Sequence, residues 1–489
     1  MQAVSVTKNT TYLTLSYIGQ KILSFFYFIL IARFIGVEDL GKYAFALSFT
    51  TLFAVLVDFG LTQALIREVA KYEERTKSYL SSVIGIRLLF SLLVYGLVAV
   101  AINLMGYPEV TKQLVYFSGV IMVMDQFTLC FWGIFRGFRN LKIESISVVI
   151  NQLIIVATGI VILLLHLPLI FLLLPLFFGS LFSLIFSAVS VRKKLGFDYS
   201  IKIDKKILKV LFRIAIPFAL IAIFSRVYGN IDSIMLSKMA GDKAVGWYSV
   251  AMKIPFALQF IPAALAAAIF PAFSHHFIHD KEQLRLTFDR VMKFLTIIVI
   301  PISVGIAVLA NSIILFFYGA DYMPAVLPLQ ILIFGLFFVF LNFPLGSLLN
   351  GCDRQVTNTV LVGITMSINI ILNIFLIPKF NFVGASISFL FSHSFLFCVS
   401  LIIAKNIIPY AKMKLLINFL KSLVSACIMG IAIYYLMPLV HFIVIIPIGA
   451  LIYGFVMFLI RGFDKADIKY FYQTLLRRGA PPEKFSLDQ

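Results

Sequence analysis

Residues 12–43, YLTLSYIGQKILSFFYFILIARFIGVEDLGKY, decide the fold. The first part is apolar and long enough to cross a bilayer, which takes about 20 residues. Yet Lys21 stands near its middle. Thr14, Tyr17, Lys21, Ser24 and Tyr27 recur at three- and four-residue spacing, so a helix gathers them into one polar stripe. Counted from Tyr12, Lys21 lies roughly 14 Å along that helix, near the centre of a hydrocarbon layer about 30 Å thick. A charge at that depth costs on the order of 3 kcal/mol or more unless it meets water or a partner. The stripe therefore reads as the lining of a cavity.

The pattern returns at residues 217–248, PFALIAIFSRVYGNIDSIMLSKMAGDKAVGWY. Gly36, Gly41 and Tyr43 match Gly241, Gly246 and Tyr248 at one offset of 205 residues, which also lays Lys21 on Arg226 and Gln20 on Ser225. A second echo joins RGFRN at Arg136–Asn140 to NGCDR at Asn350–Arg354. The chain reads as an internal duplication, which in transporters sets two helix bundles around a central site.

The composition excludes most other classes. Hydrophobic residues make up 61%, charged residues 13%, and the mean hydropathy is +1.02. A soluble chain carries about 25% charged residues. The alternating segments of a membrane barrel are absent, so the fold expected is an all-α polytopic membrane protein. The net charge of +19 does not point to nucleic acid, because the basic residues sit between apolar spans, where the positive-inside rule accounts for them. Cys130, Cys352, Cys398 and Cys427 form no C-x-x-C pair or disulfide framework. The first span is too long for a cleavable signal and is expected to stay as a helix.

About fourteen transmembrane helices are expected, near 11–34, 42–66, 83–105, 113–135, 146–166, 169–191, 210–237, 247–271, 294–316, 326–349, 358–377, 384–404, 418–437 and 442–460. Of the 41 Lys and Arg residues, the connections on one side hold only Lys42, Lys112, Lys238, Lys243 and Lys379, while Lys21, Arg33, Arg87, Arg226 and Lys253 lie within spans. That bias places both termini in the cytoplasm and makes the repeat parallel, with a pseudo-twofold axis along the membrane normal. The organisation expected is an N-lobe of six helices at 1–191, a cytoplasmic linker at 192–209 and a C-lobe of six helices at 210–404. Two C-terminal helices follow at 405–460, then a tail at 461–489. In that tail Ile468, Phe471, Tyr472, Leu475 and Leu476 suit a short amphipathic helix on anionic lipid.

The embedded charges carry the chemistry. Lys21 and Arg226 are the deepest cations and are repeat equivalents, so both are candidates for holding an anionic group. Arg87 and Lys253 join them, although each stands near a span end, where it could snorkel. Arg33 reads as an outer anchor. Asp58, Asp125 and Asp232 could carry proton or sodium coupling or simply neutralise the cations. Asp232 shares a stripe with Ser225 and Gly229 and is expected to face the cavity. His275, His276, His279 and Asp280 approach ligand spacing, but they stand at a span end where interfacial polar residues belong, so no metal site is expected. No Walker A sequence, G-x-S-x-G elbow or zincin motif is present, and enzyme activity is not expected.

Several short motifs carry a resemblance. Lys8-Asn9, Arg33-Phe-Ile-Gly36, Gly41-Lys-Tyr43, Asp58-Phe-Gly60-Leu61 and Ile66-Arg67-Glu68 look like the first half of polysaccharide flippases. Gly246-Trp-Tyr248, Phe317-Tyr-Gly319-Ala-Asp-Tyr322, Asn369-x3-Asn373, Ile377-Pro378 and Gly384-Ala385 look like the second half. The chain to about Arg461 thus resembles the multidrug/oligosaccharidyl-lipid/polysaccharide (MOP) exporter superfamily. The resemblance implies a two-lobed helical fold, alternating access, and transfer of an undecaprenyl-diphosphate-linked oligosaccharide across the cytoplasmic membrane for surface glycan assembly. It implies that cavity cations, here Lys21 and Arg226, meet the diphosphate or acidic sugars. The partners implied are the polyprenyl-diphosphate-linked glycan, membrane lipid, and a glycan polymerase or glycosyltransferases. A lipid II flippase or a multidrug antiporter of the same fold are the alternatives. A cationic drug would favour carboxylates, and five embedded cations face three embedded acids.

Overall fold

A computed structural model describes residues 6–197, 201 and 203–462, with side chains from Tyr12 onward. The helices are α1 (Val6–Asp58), α2 (Leu61–Lys71), α3 (Thr76–Leu104), α4 (Glu109–Gly137), α5 (Lys142–Leu164), α6 (Leu174–Leu195) and α7 (Lys205–Ala240). They continue with α8 (Asp242–Leu258), α9 (Phe260–His279), α10 (Lys281–Phe317), α11 (Val326–Gly351), α12 (Gln355–Ala404), α13 (Lys412–Leu436) and α14 (Phe442–Leu459). Among the described residues there is no strand, and twelve helical stretches are long and apolar enough to cross a membrane. Two of them contain a non-helical break, at Gly36 in α1 and at Asn381 in α12. Each of those is thus two helices joined at a break, which brings the apolar helices to about the fourteen expected. Part of the 192–209 linker and the amphipathic segment of the tail lie outside the described residues.

The duplication is visible in the backbone. Gly36 has φ 76°, ψ 174° and its equivalent Gly241 has φ 85°, ψ 174°. This region of φ/ψ space is open almost only to glycine, so each hairpin between passes needs glycine at that point. The second echo folds alike too. Arg139 and Asp353 both have positive φ, of 54° and 59°. The amide of Asn140 donates to the Phe135 carbonyl, and that of Arg354 to the Leu349 carbonyl, both at 2.8 Å.

The described chain forms two compact units. One comprises Met1–Ala257, Ile314–Pro328 and Thr359–Ser392, and the other Leu258–Ile313, Leu329–Asn358 and His393–Gln489. The first holds every residue of the candidate site. One of its cores gathers Leu61, Leu65, Leu80, Phe131, Phe135, Leu211 and Ala215 from α2, α3, α4 and α7. The chain enters α2 through Phe59 and Gly60, both with positive φ. A Cβ on Gly60 would overlap the Ala215 carbonyl, so glycine lets α7 lie directly on this turn. In the second unit the Tyr453 hydroxyl donates to the Ile297 carbonyl at 2.9 Å and pins α14 to α10. On α13, Leu416, Leu420, Val424, Ile428 and Ile431 stay exposed, an apolar stripe suited to lipid contact.

Candidate functional site

Two lysines couple the first pass to α8. Lys21 Nζ lies 5.9 Å from the centroid of Phe256, and Lys253 Nζ lies 4.4 Å from that of Phe28. Lys21 and Phe28 are seven residues apart on α1, and Lys253 and Phe256 are three apart on α8, so each pair shares a helix face. The result is an antiparallel ladder of two ammoniums on two rings. Each such contact is worth about 0.5–2 kcal/mol, rising with desolvation. A ring face holds a cation without consuming its charge, so an incoming anion need displace no carboxylate. The Lys21 side chain is exposed in this unit and Lys253 is half-buried. Arg226 is exposed on α7, where its carbonyl accepts from Asn230 at 2.9 Å. Arg33 donates Nε to the Phe317 carbonyl at 2.8 Å and Nη2 to the Phe316 carbonyl, which caps the end of α10.

Arg87 has a different setting. It is fully buried and paired with Asp58, and it donates to Thr62 Oγ1 at 3.0 Å and to the Gln126 carbonyl. Asp58 also accepts from the Thr62 amide at 3.2 Å, so it caps α2 as well. Both members of the pair hold the turn between α1 and α2 against α3 and α4. Breaking a buried pair costs about 3–5 kcal/mol, because one charge is left uncompensated. Asp125 is half-buried beside Ser180.

Asp232 sits at the centre of a buried polar network and is 6% exposed. Tyr248 donates to its Oδ2 and Asn373 Nδ2 to its Oδ1, both at 2.7 Å. Asn373 Nδ2 also reaches Asn369 Oδ1 at 3.2 Å. Three separate motifs, the Gly246-Trp-Tyr248 turn, the Asn369-x3-Asn373 pair and Asp232, thus meet at one point. The donors satisfy the carboxylate by hydrogen bonding, with no cation paired to it among the described residues.

The hairpin face that carries Gly36 and Gly241 is closed by contacts that answer one another across the repeat. A Cβ on Gly41 would overlap the Asp242 carbonyl, and one on Gly246 would overlap the Val37 carbonyl. Since Val37 and Gly41 are the equivalents of Asp242 and Gly246, this is one contact made twice, as a two-fold interface requires. A second set follows the same rule. Tyr322 donates to the Ala32 carbonyl at 2.7 Å beside the Arg33 cap, while the equivalents Ser237 and Lys238 meet Tyr107 and the Met105 carbonyl, the latter at 2.8 Å from Lys238 Nζ.

One cluster was not singled out from the sequence. Glu144 is fully buried, accepts two hydrogen bonds from Arg136 at 2.7 and 2.6 Å, and a third from Tyr17 at 2.7 Å. Tyr17 belongs to the polar stripe of the first pass, so part of that stripe faces α4 and α5. The stripe was the available signal, but Arg136 and Glu144 read as loop residues. Among the described residues no group of three or more His, Cys, Asp or Glu is arranged to hold a metal ion.

Known proteins share both sequence and fold with this chain. The family described as "Polysaccharide biosynthesis protein" matches residues 6–277, more than half of the chain, and the MatE family matches residues 217–375. An uncharacterized membrane protein of Methanocaldococcus jannaschii is 26% identical over 79% of this chain and 81% of its own. A putative O-antigen transporter of Shigella flexneri is 23% identical over 79% of this chain and 94% of its own. The lipid II flippase MurJ, solved in an inward closed conformation, superposes with a TM-score of 0.74 at 19% identity, covering 95% of this chain and 99% of that one. At that identity the superposition speaks for the fold alone.

Proposed function

Because this chain belongs to the polysaccharide biosynthesis protein family, within the MOP superfamily, we propose that it flips a polyprenyl-diphosphate-linked oligosaccharide across the cytoplasmic membrane for surface glycan assembly. The observation that carries this reading is the lysine ladder between α1 and α8. A diphosphate needs cations that are held in place but not already neutralised, and Lys21 and Lys253 rest on aromatic rings. Charge-assisted hydrogen bonds to phosphate are roughly twice as strong as neutral ones, so the lipid-linked anion can draw both ammoniums off the rings. Arg226, the equivalent of Lys21, is the third cation of the proposed site. The lipid tail stays in the bilayer while the headgroup passes.

Both termini are cytoplasmic in this reading, and the Gly36 face points outward. Transport proceeds by alternating access between the two repeat halves, 1–191 and 210–404. The paired glycine contacts at Gly41 and Gly246 support an outer side that closes by direct backbone packing. Proton or sodium coupling, where it operates, runs through Asp232 or Asp125, since Asp58 is committed to Arg87. A multidrug antiporter is the weaker reading: a cationic drug needs an available carboxylate, and of the three embedded acids Asp58 and Asp232 are engaged, which leaves Asp125.

The test is charge at Lys21. In a strain that depends on this chain for glycan export, Lys21→Ala is expected to cut export at least tenfold at unchanged protein level. Lys21→Arg is expected to keep most of it, and Lys21→Glu to abolish it. Normal export by Lys21→Glu at normal expression would overturn the assignment.

A further inference from the structure

The outward hairpins leave an open depression of about 560 Å³ above the paired glycine contacts. Its walls come from the first hairpin (Gly36, Glu38, Asp39), from α8 (Lys243, Trp247), and from Asp321 in the turn before α11. Trp247 donates Nε1 to the Asp321 carbonyl at 2.9 Å and packs on Phe382 at 5.1 Å, so its indole is fixed in orientation. Glu38 and Asp39 flank Lys42 at 3.1 and 3.0 Å. Both carboxylates keep about half of their side-chain surface, 52% and 44%, against 19% for the lysine. They are held in place with acceptor sites still facing water. A fixed aromatic face beside oriented carboxylates and an ammonium is the chemistry that suits a sugar ring. The C–H face of the ring covers the indole, its hydroxyls donate to the carboxylates, and Lys243 donates to a ring or glycosidic oxygen. The lining holds three carboxylates against one ammonium, which disfavours an acidic sugar.

We propose that this depression is a subsite for a neutral saccharide unit, and that its occupancy holds the outer side shut. The second part follows from the walls. Gly36, Glu38 and Asp39 lie on one side of the Gly41–Asp242 contact and Lys243 and Trp247 on the other, so opening that contact takes the subsite apart. A ligand that binds only the assembled form must favour it. The proposal rests on the flippase reading, in which glycan emerges on this face, and its regulatory meaning is slowing of export by glycan already outside.

The protein has two tryptophans, Trp132 and Trp247, so Trp132→Phe leaves Trp247 as sole reporter. With that variant in lipid nanodiscs, maltotriose is expected to give a saturable change in indole fluorescence in the millimolar range, and an oligoglucuronate none. Asp39→Ala and Asp321→Ala should each weaken the response about tenfold. Maltotriose should also raise at least twofold the rate of disulfide formation between cysteines placed at Val37 and Asp242, in a background without the native cysteines. No saturable response, an equal response to oligoglucuronate, or full response in both alanine variants would overturn the subsite. Binding without faster cross-linking would overturn the coupling to closure. Neither readout involves transport, so the Lys21 export test can fail while this one succeeds, and the reverse.

Discussion

Tyr27, Tyr43 and Gly159 in the first half occupy the places of Asp232, Tyr248 and Asn373 in the second. The first two match at the 205-residue offset, and the third at the 214-residue offset of the second echo. The two settings have opposite contents. In the first half Tyr27 is buried with its hydroxyl unpartnered, and its ring fills the space left by the missing side chain of Gly159. In the second half that volume holds a carboxylate and an amide, with Tyr248 donating to the carboxylate. One backbone frame thus accommodates either aromatic bulk or a hydrogen-bonded anion. At this position only the second half offers a carboxylate, so the difference between the halves lies in composition and not in fold.

This contrast can be broken in graded ways, with thermal unfolding of the detergent-purified protein as the measurement. The largest effect is expected at Gly159. Its Cβ would overlap the Tyr27 hydroxyl and ring, so Gly159→Leu should cost about 3 kcal/mol, and Tyr27→Ala in the same chain should restore much of it. No loss in the single variant would mean that Tyr27 does not fill this space. Asn373→Leu is expected to cost less, about 1.5–3 kcal/mol, because Asp232 loses one of its donors while staying buried. Asp232→Leu added to it should then cost little more. The smallest effects sharpen the comparison most. Tyr248→Phe removes a hydroxyl bound to a carboxylate and should cost about 1.5 kcal/mol. Tyr27→Phe removes an unpartnered one and should shift stability by less than about 0.5 kcal/mol. Equal effects of the two would erase the distinction between the halves.

The legible part of the sequence was its local punctuation. Gly36 and Gly241 could be matched because a backbone conformation restricted to glycine keeps the residue in place, and the spans could be counted because hydrocarbon thickness fixes their length. The 205-residue offset already lays Tyr27 on Asp232, but residue type gives no hint of what each does there, and that emerged only with the folded frame. Arg87, like Lys21, is a cation within an apolar span, although nearer to a span end. Which of them is partnered depends on how passes 2 and 3 rotate about their axes, and spans apolar on every side carry no periodic signal for that rotation. The stripe of Asp232 predicts a cavity-facing residue, but the residues that enclose it, Asn369 and Asn373, come from a pass more than a hundred residues away.

The Asp58–Arg87 pair bears on how the chain enters the membrane during synthesis. An aspartate or an arginine within a span adds to the cost of insertion when it enters alone, up to about 2.5–3.5 kcal/mol at the centre and less toward an end. Here the two charges stand on consecutive passes joined by a short connection. Entering together as a hairpin, they arrive neutralised; entering one at a time, each crosses as a bare charge. The second pass is therefore expected to wait at the insertion machinery until the third emerges from the ribosome. Arg87→Leu, by removing only the later partner, should leave a larger fraction of chains with the second pass uninserted, read by glycosylation-site mapping of truncated nascent chains. The buried pair is thus expected to set timing in biogenesis as well, before any of the tertiary fold exists.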